Sequence, residues 1–109
     1  MTTLEILKAA YHLLDDKRRW TQDANAVNSR GNSVSPRNER AVAWCARGAI
    51  THCSPSGVDG RKEQSYAAWL LGKACGTEYT TDSNDGPDGY CRIRAAFRRA
   101  IRKLEKDLK

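Results

Sequence analysis

The last twenty residues constrain this chain more than any other stretch. Tyr90, Ile93, Phe97, Ala100, Ile101, Leu104 and Leu108 recur at three- and four-residue steps, which at about 100° per residue places them on one narrow stripe. That pattern predicts an amphipathic helix with an apolar underside. Its outer face carries Arg92, Arg94, Arg98, Arg99, Arg102, Lys103, Lys106 and Lys109 against only Glu105 and Asp107. The segment is therefore net +6, equal to the formal charge of the whole 109-residue chain, and residues 1–89 carry eleven basic and eleven acidic side chains. The positive balance belongs to one helix attached to an electrically neutral body.

A chain of 109 residues is expected to form a single domain, 1–109, burying roughly 65% of the surface its unfolded form exposes. Large aliphatic material for that core is thin, with 17 Leu, Ile, Val and Phe residues, but fourteen Ala lie within periodic patterns and three Trp and four Tyr are present. Small residues on helix faces let backbones approach closely, so the composition predicts a few helices in tight contact with aromatic plugs. Self-association, as a homo-oligomer, would add apolar area. No stretch approaches the roughly 20 apolar residues of a membrane span, and the N-terminus lacks a basic start and apolar core for secretion. A soluble, cytoplasmic protein with no membrane partner is expected, its four cysteines, Cys45, Cys53, Cys75 and Cys91, packed as reduced thiols.

The fold class expected is mainly α: a compact four-helix domain, with a short β-hairpin between the first two helices as one of two level readings of residues 21–35. Thr2-x-x-Glu5 has the spacing of a capping box and predicts a first helix over 3–17, with Ile6, Leu7, Ala10, Tyr11, Leu13 and Leu14 inward and His12 in water. Helical period then disappears. Turn chemistry at Ser29-Arg30-Gly31-Asn32 fits a hairpin flanked by Ala24 and Ala26 on one side and Val34 on the other, and an ordered loop fits equally well. Ser35-Pro36 has the residue types of a helix start and predicts a second helix over 36–51, in which Gly48 signals close approach by another element, since glycine costs about 1 kcal/mol in a helix interior. A breaker-rich connector leads to a third helix over 61–75, with Tyr66, Ala67, Leu70, Leu71 and Ala74 inward, Trp69 at one border, Asp59 as its cap and Gly76 at its end.

An acidic loop precedes the basic helix: residues 78–89 carry Glu78, Asp82, Asp85 and Asp88 and no basic residue. Asp88 is placed to cap the helix, and the aspartates to fold back on its arginines. An EF-hand counted from Asp82 fails at Gly86, Pro87 and Ile93, where it wants Asp or Asn, Gly and Glu. No pair among Cys45, His52, Cys53, Cys75 and Cys91 has the spacing of a zinc-chelating turn. A Cys-His nucleophile pair has no recognisable motif around either histidine, and no phosphate-binding glycine loop is present. No metal, no cofactor and no catalytic residues are expected, and the chain reads as a non-enzyme.

Trp20-Thr21-Gln22, Arg30-Gly31-x-x-Val34-x-Pro36, Ala41-Val42-x-Trp44-Cys45-Ala46-x-Gly48-Ala49-Ile50 and Asn84-Asp85 before Arg99-Ala100-Ile101 together resemble an uncharacterised family of small bacterial and phage proteins. The Trp-Cys-Ala-x-Gly-Ala block is the most specific of these pieces. Ser83 stands where that family is expected to carry a tryptophan. The resemblance implies a compact helical domain carried by phages or mobile elements, with no activity to transfer.

Surfaces remain as the source of function. The leading expectation is a non-enzymatic binding protein acting stoichiometrically on a host macromolecule, a protein or ribonucleoprotein, with inhibition of a CRISPR-like host defence complex as one form of it. Either the basic helix (Arg92, Arg94, Arg98, Arg99, Arg102, Lys103, Lys106) meets an acidic partner, or the acidic loop imitates phosphates. The alternative is weakly selective DNA or RNA binding by the basic helix, because neutralised phosphates release counterions.

Overall fold

A computed structural model describes residues 2–56, 58–76 and 84–108, with the side chains of 58 and 59 excepted. Four helices, α1 (Thr3–Leu13), α2 (Ala46–Cys53), α3 (Val58–Cys75) and α4 (Gly89–Asp107), surround a single cluster of buried side chains, and a two-stranded antiparallel ribbon lies between α1 and α2. The mainly α four-helix architecture with a short hairpin is thus the one the sequence predicts.

The capping box is complete. Glu5 N–H donates to Thr2 Oγ1 (3.1 Å) and Thr2 N–H to Glu5 Oε1 (2.9 Å), and the hydrogen bonds that the Thr2 backbone and side chain give the Glu5 carboxylate hold it below its usual pKa. Ile6, Leu7 and Ala10 are fully buried as the periodicity requires. The helix stops at Leu13, earlier than expected, because Asp16 takes the Arg18 amide (2.9 Å) and starts a separate 3₁₀ turn over Lys17–Arg19. A short acidic side chain that bonds its own backbone two residues on competes with helix continuation.

The largest correction concerns residues 36–45. They are not helical: Ala43–Trp44 is strand β2, paired with β1 (Ala26–Val27) so that Ala26 faces Trp44 and Val27 faces Ala43. Ser35 Oγ accepts from Arg37 N–H (3.4 Å) and Asn38 Oδ1 from Arg40 N–H (2.8 Å), so local side-chain bonds divert these amides into turns. Trp44 is then drawn into the ribbon, its indole N–H donating to the Pro36 carbonyl (2.9 Å) and its ring lying 4.6 Å from His52.

The turn at residues 28–32 also forms. Asn28 and Asn32 are bonded through backbone (3.0 Å), Val34 N–H reaches the Ala26 carbonyl (3.0 Å), and Val27 bridges Ser33. Hairpin wins over plain loop, but the ribbon's main partner for β1 is the later segment β2.

Helix α3 begins three residues before its predicted start and ends at Gly76, whose φ of +72° gives the left-handed turn expected there. On α4, Ile93, Ala96, Phe97, Ala100 and Ile101 are buried. Leu108 is 68% exposed, so the apolar stripe is buried only as far as its neighbours extend. Asp88 occupies the N-cap position, yet its backbone is left-handed (φ 56°) and its carboxylate makes no capping bond, contrary to expectation.

Candidate binding face

The cations of α4 divide into two groups. Arg94 and Arg98 turn toward α1. Arg94 is only 15% exposed at its side chain, lies 3.7 Å over the Tyr11 ring, donates to the Tyr11 carbonyl and pairs with Asp15 (2.7 Å), while Arg98 reaches the Tyr11 hydroxyl (3.3 Å). Arg94 is therefore a clamp between α1 and α4 and is not available to a partner. Arg92, Arg99, Arg102, Lys103 and Lys106 follow one another at helical spacing on a different, exposed arc. Arg99 uses Nε and Nη2 to bond the Ala74 carbonyl at the end of α3 (3.2 and 2.7 Å). Arg92, Arg102, Lys103 and Lys106 make no ion pair or hydrogen bond among the described residues, and Glu105 is spent on Lys8 (3.3 Å).

The expected folding back of the acidic loop on these arginines is not seen at Asp85 or Asp88. Glu78 and Asp82 lie outside the described residues. Arg94 draws its carboxylate from Asp15 at the end of α1, a pairing that sequence distance hid. Partial burial would raise the Asp15 pKa, but its hydrogen bonds to Arg94 and His12, with their charges, outweigh that and hold it low. Asp16 is held down to about 2 by its side-chain and backbone bonds from Arg18. Both carboxylates have depressed folded-state pKa values, so their contribution is complete above the unfolded value of about 3.9 and disappears as pH falls through the folded ones. Urea unfolding followed across pH 5 to 2 is expected to show a progressive loss of stability, smaller in Asp15→Asn; an identical slope in that variant would contradict the clamp.

A second assembly lies at the start of α2, where three of the pieces carrying the sequence resemblance meet: Trp20-Thr21-Gln22, the Trp-Cys-Ala block and Asn84-Asp85. Asn84, 1% exposed, is its centre. Its Oδ1 accepts from the Trp20 indole N–H (2.9 Å) and from the Ala46 amide (2.9 Å), and its Nδ2 donates to the Thr21 carbonyl (3.0 Å) and to Asp85 Oδ1 (2.9 Å). Gln22 Nε2 donates to the Asn84 and Gly86 carbonyls, and Asp85 Oδ1 also accepts from the Asp23 amide (3.0 Å).

Cys45 sits at the N-cap of α2, its sulfur accepting from Gly48 N–H (3.3 Å) and its thiol facing Asn25 Oδ1 (3.6 Å). Burial pushes its pKa up despite the amides that oppose this, and burial raises Cys53 to about 11. Both remain protonated at neutral pH, the opposite of what a nucleophile needs. A cavity of about 450 Å³ borders this assembly, lined by Asp23, Ala24, Asn25, Ser33, Cys45 and Asp85. No buried side-chain polar atom among the described residues lacks a partner, so the assembly reads as a closed lock on the fold. Among the described residues no three His, Cys, Asp or Glu side chains come together as metal ligands, and no helix is long and apolar enough to cross a membrane.

Sequence reasoning missed a third feature. Lys62, Tyr66, Trp69 and Lys73 form a stripe along α3 at four-, three- and four-residue steps. Trp69 is 58% exposed and Tyr66 46%; the rings meet edge to face at 5.9 Å and 71°, with Lys73 Nζ 5.1 Å from the Trp69 centroid. Beside this stripe runs a groove of about 430 Å³ between α3 and α4, with Lys73 on the α3 side and Arg99 and Lys103 on the α4 side. Ala67, Leu70 and Leu71 pack inward as their spacing predicts and Trp69 stands beyond the border of that face, but Tyr66, expected inside with them, is turned out to water beside Trp69.

Fold and surfaces define a class: a small, mainly α domain with a hydrogen-bonded lock at one helix start and a cationic face elsewhere. The chain belongs to DUF6197, a family of unknown function whose model matches residues 1–105. No curated protein and no solved structure matches it.

Proposed function

We propose that this is a non-enzymatic binding protein that acts stoichiometrically on an anionic macromolecule through the exposed arc of α4. The observation that carries the reading is the set of four cations on that arc, Arg92, Arg102, Lys103 and Lys106, which no described residue neutralises. Solvated like charges on one helix face repel one another, and a polyanion relieves that repulsion while releasing its own counterions. The raised thiol pKa values of Cys45 and Cys53 further favour binding over thiol catalysis. The opposite polarity, with acidic residues presented as a phosphate mimic, is disfavoured because Asp85 is already engaged by Asp23 and Asn84. An acidic patch on a host protein or ribonucleoprotein presents the same chemistry as a nucleic acid backbone.

Heparin affinity and a salt titration test the reading. Wild-type protein is expected to be retained at about 50 mM salt, and Arg102→Glu/Lys106→Glu to elute far earlier, with the slope of log K against log salt on duplex DNA reduced by about 2. Absence of retention on any polyanion at that salt defeats it.

A further inference from the structure

Cationic charge alone does not explain why an indole and a phenol ring stand in water beside it. Exposed aromatic rings of this size cost solvation free energy, and on a monomer they mark a contact surface. Trp69, with Tyr66 against its ring, lines a groove to which Leu70, Ala74 and Ala100 contribute the apolar part. Ala74 and Ala100 are the small side chains of that lining, beside the flat face of Trp69. Arg99 is already fixed by its two bonds to the Ala74 carbonyl, which leaves Nη1 to present to an anion with little further loss of side-chain freedom. Lys73, whose Nζ lies 5.1 Å from the Trp69 centroid, and Lys103 are point charges on the α3 and α4 sides of the groove.

We propose that this groove binds single-stranded nucleic acid, an unpaired base stacking against Trp69 while flanking phosphates lie along Lys73, Arg99 and Lys103. The inference rests on the anionic-partner reading of α4 and names its partner. A positively charged groove lined by aromatic faces is the arrangement that holds single strands without sequence preference, because every base has a π-face. A duplex keeps its base faces stacked inside, so it can satisfy the cations and leave Trp69 unused. An acidic polypeptide does the same. The stacking ring is what separates the three.

Titration of the full chain with a fluorescein-labelled twelve-residue oligothymidylate, followed by anisotropy and by intrinsic tryptophan emission, tests the proposal. Trp44 is buried and Trp20 packs against Tyr90, so Trp69 is the most exposed indole. Quenching on binding is expected, with Trp69→Ala weakening the single strand about 10-fold or more and Trp69→Phe retaining most of the affinity. Heparin retention of Trp69→Ala should match wild type, which shows that the variant is folded and the cationic arc intact. Equal single-strand affinity in Trp69→Ala overturns the proposal. So does a duplex of the same length, or polyglutamate, that binds as tightly as the single strand and quenches Trp69. In those cases heparin retention lost only in Arg102→Glu/Lys106→Glu leaves the broader reading standing, whereas a wild-type protein that binds no polyanion ends both.

Discussion

Asn84→Ala is expected to destabilise the protein by about 3–5 kcal/mol, lowering the thermal midpoint by about 15–30 °C. The asparagine side chain satisfies the Trp20 indole N–H, the Ala46 amide and the Thr21 carbonyl at once, all at a site 1% exposed. Truncation removes the partner of the buried Ala46 amide and of the part-buried Trp20 indole and Thr21 carbonyl, and each buried group left unpaired costs about 1–3 kcal/mol. Asn84→Asp is the sharper test because it keeps the shape. A carboxylate there can still accept from Trp20 and Ala46, but it points lone pairs at the Thr21 carbonyl and at Asp85. Burial and the neighbouring carboxylate raise its folded-state pKa, so the protonated form, which can donate, is favoured in the fold.

The sign follows from that shift. Relative to wild type at each pH, the variant's deficit is small below the unfolded carboxyl pKa of about 3.9 and grows as pH rises through the raised folded value. Chemical denaturation at pH 4 and pH 7, monitored by circular dichroism, measures it. A deficit that is the same at both pH values, or absent, would show that Asn84 does not hold the structure as its bonds imply.

Gly48→Ala is the second large effect, and it runs against helix propensity. In an exposed helix the change stabilises by about 1 kcal/mol. Here the added Cβ would stand 1.8 Å from the Asn25 carbonyl oxygen and 2.8 Å from its carbon. That obstacle is backbone, and the same carbonyl accepts the Cys45 amide at 3.2 Å, so yielding breaks the link between the β1 segment and the start of α2. A net loss of about 2–4 kcal/mol is expected after the propensity gain is subtracted, in the upper range for overpacking. Thermal unfolding of Gly48→Ala at or above the wild-type midpoint would falsify the close approach.

Much of the architecture was legible because it is local. Thr2 and Glu5 specify a helix start within one turn, Gly76 ends α3 through its left-handed backbone, and the three- and four-residue recurrence of Ile93, Phe97, Ala100 and Ile101 orients α4. Gly48 announced its neighbour without saying which one. The segment 36–45 misled for a physical reason: Val42, Cys45, Ala46 and Ala49 have helical spacing, yet Ser35 and Asn38 bond their own amides, and β1 offers Trp44 a ladder that no local pattern reveals. Asp88 looked like a cap, but its left-handed φ carries the carboxylate away from the amides it was expected to meet.

The candidate surfaces divide along the same line. That seven cations ride on α4 was fixed by residue order alone, since spacing dictates which side chains share a face. Which of them face a partner was decided by packing: Tyr11 and Asp15 claim Arg94, the end of α3 claims part of Arg99, and Arg92, Arg102, Lys103 and Lys106 are left over. The lock at Asn84 and the groove beside Trp69 belong wholly to the tertiary structure, because their bonds and walls join residues from 25 to more than 60 positions apart. Periodicity encodes a helix and its faces; only the folded chain brings remote donors, carbonyls and rings within the few ångströms at which they act.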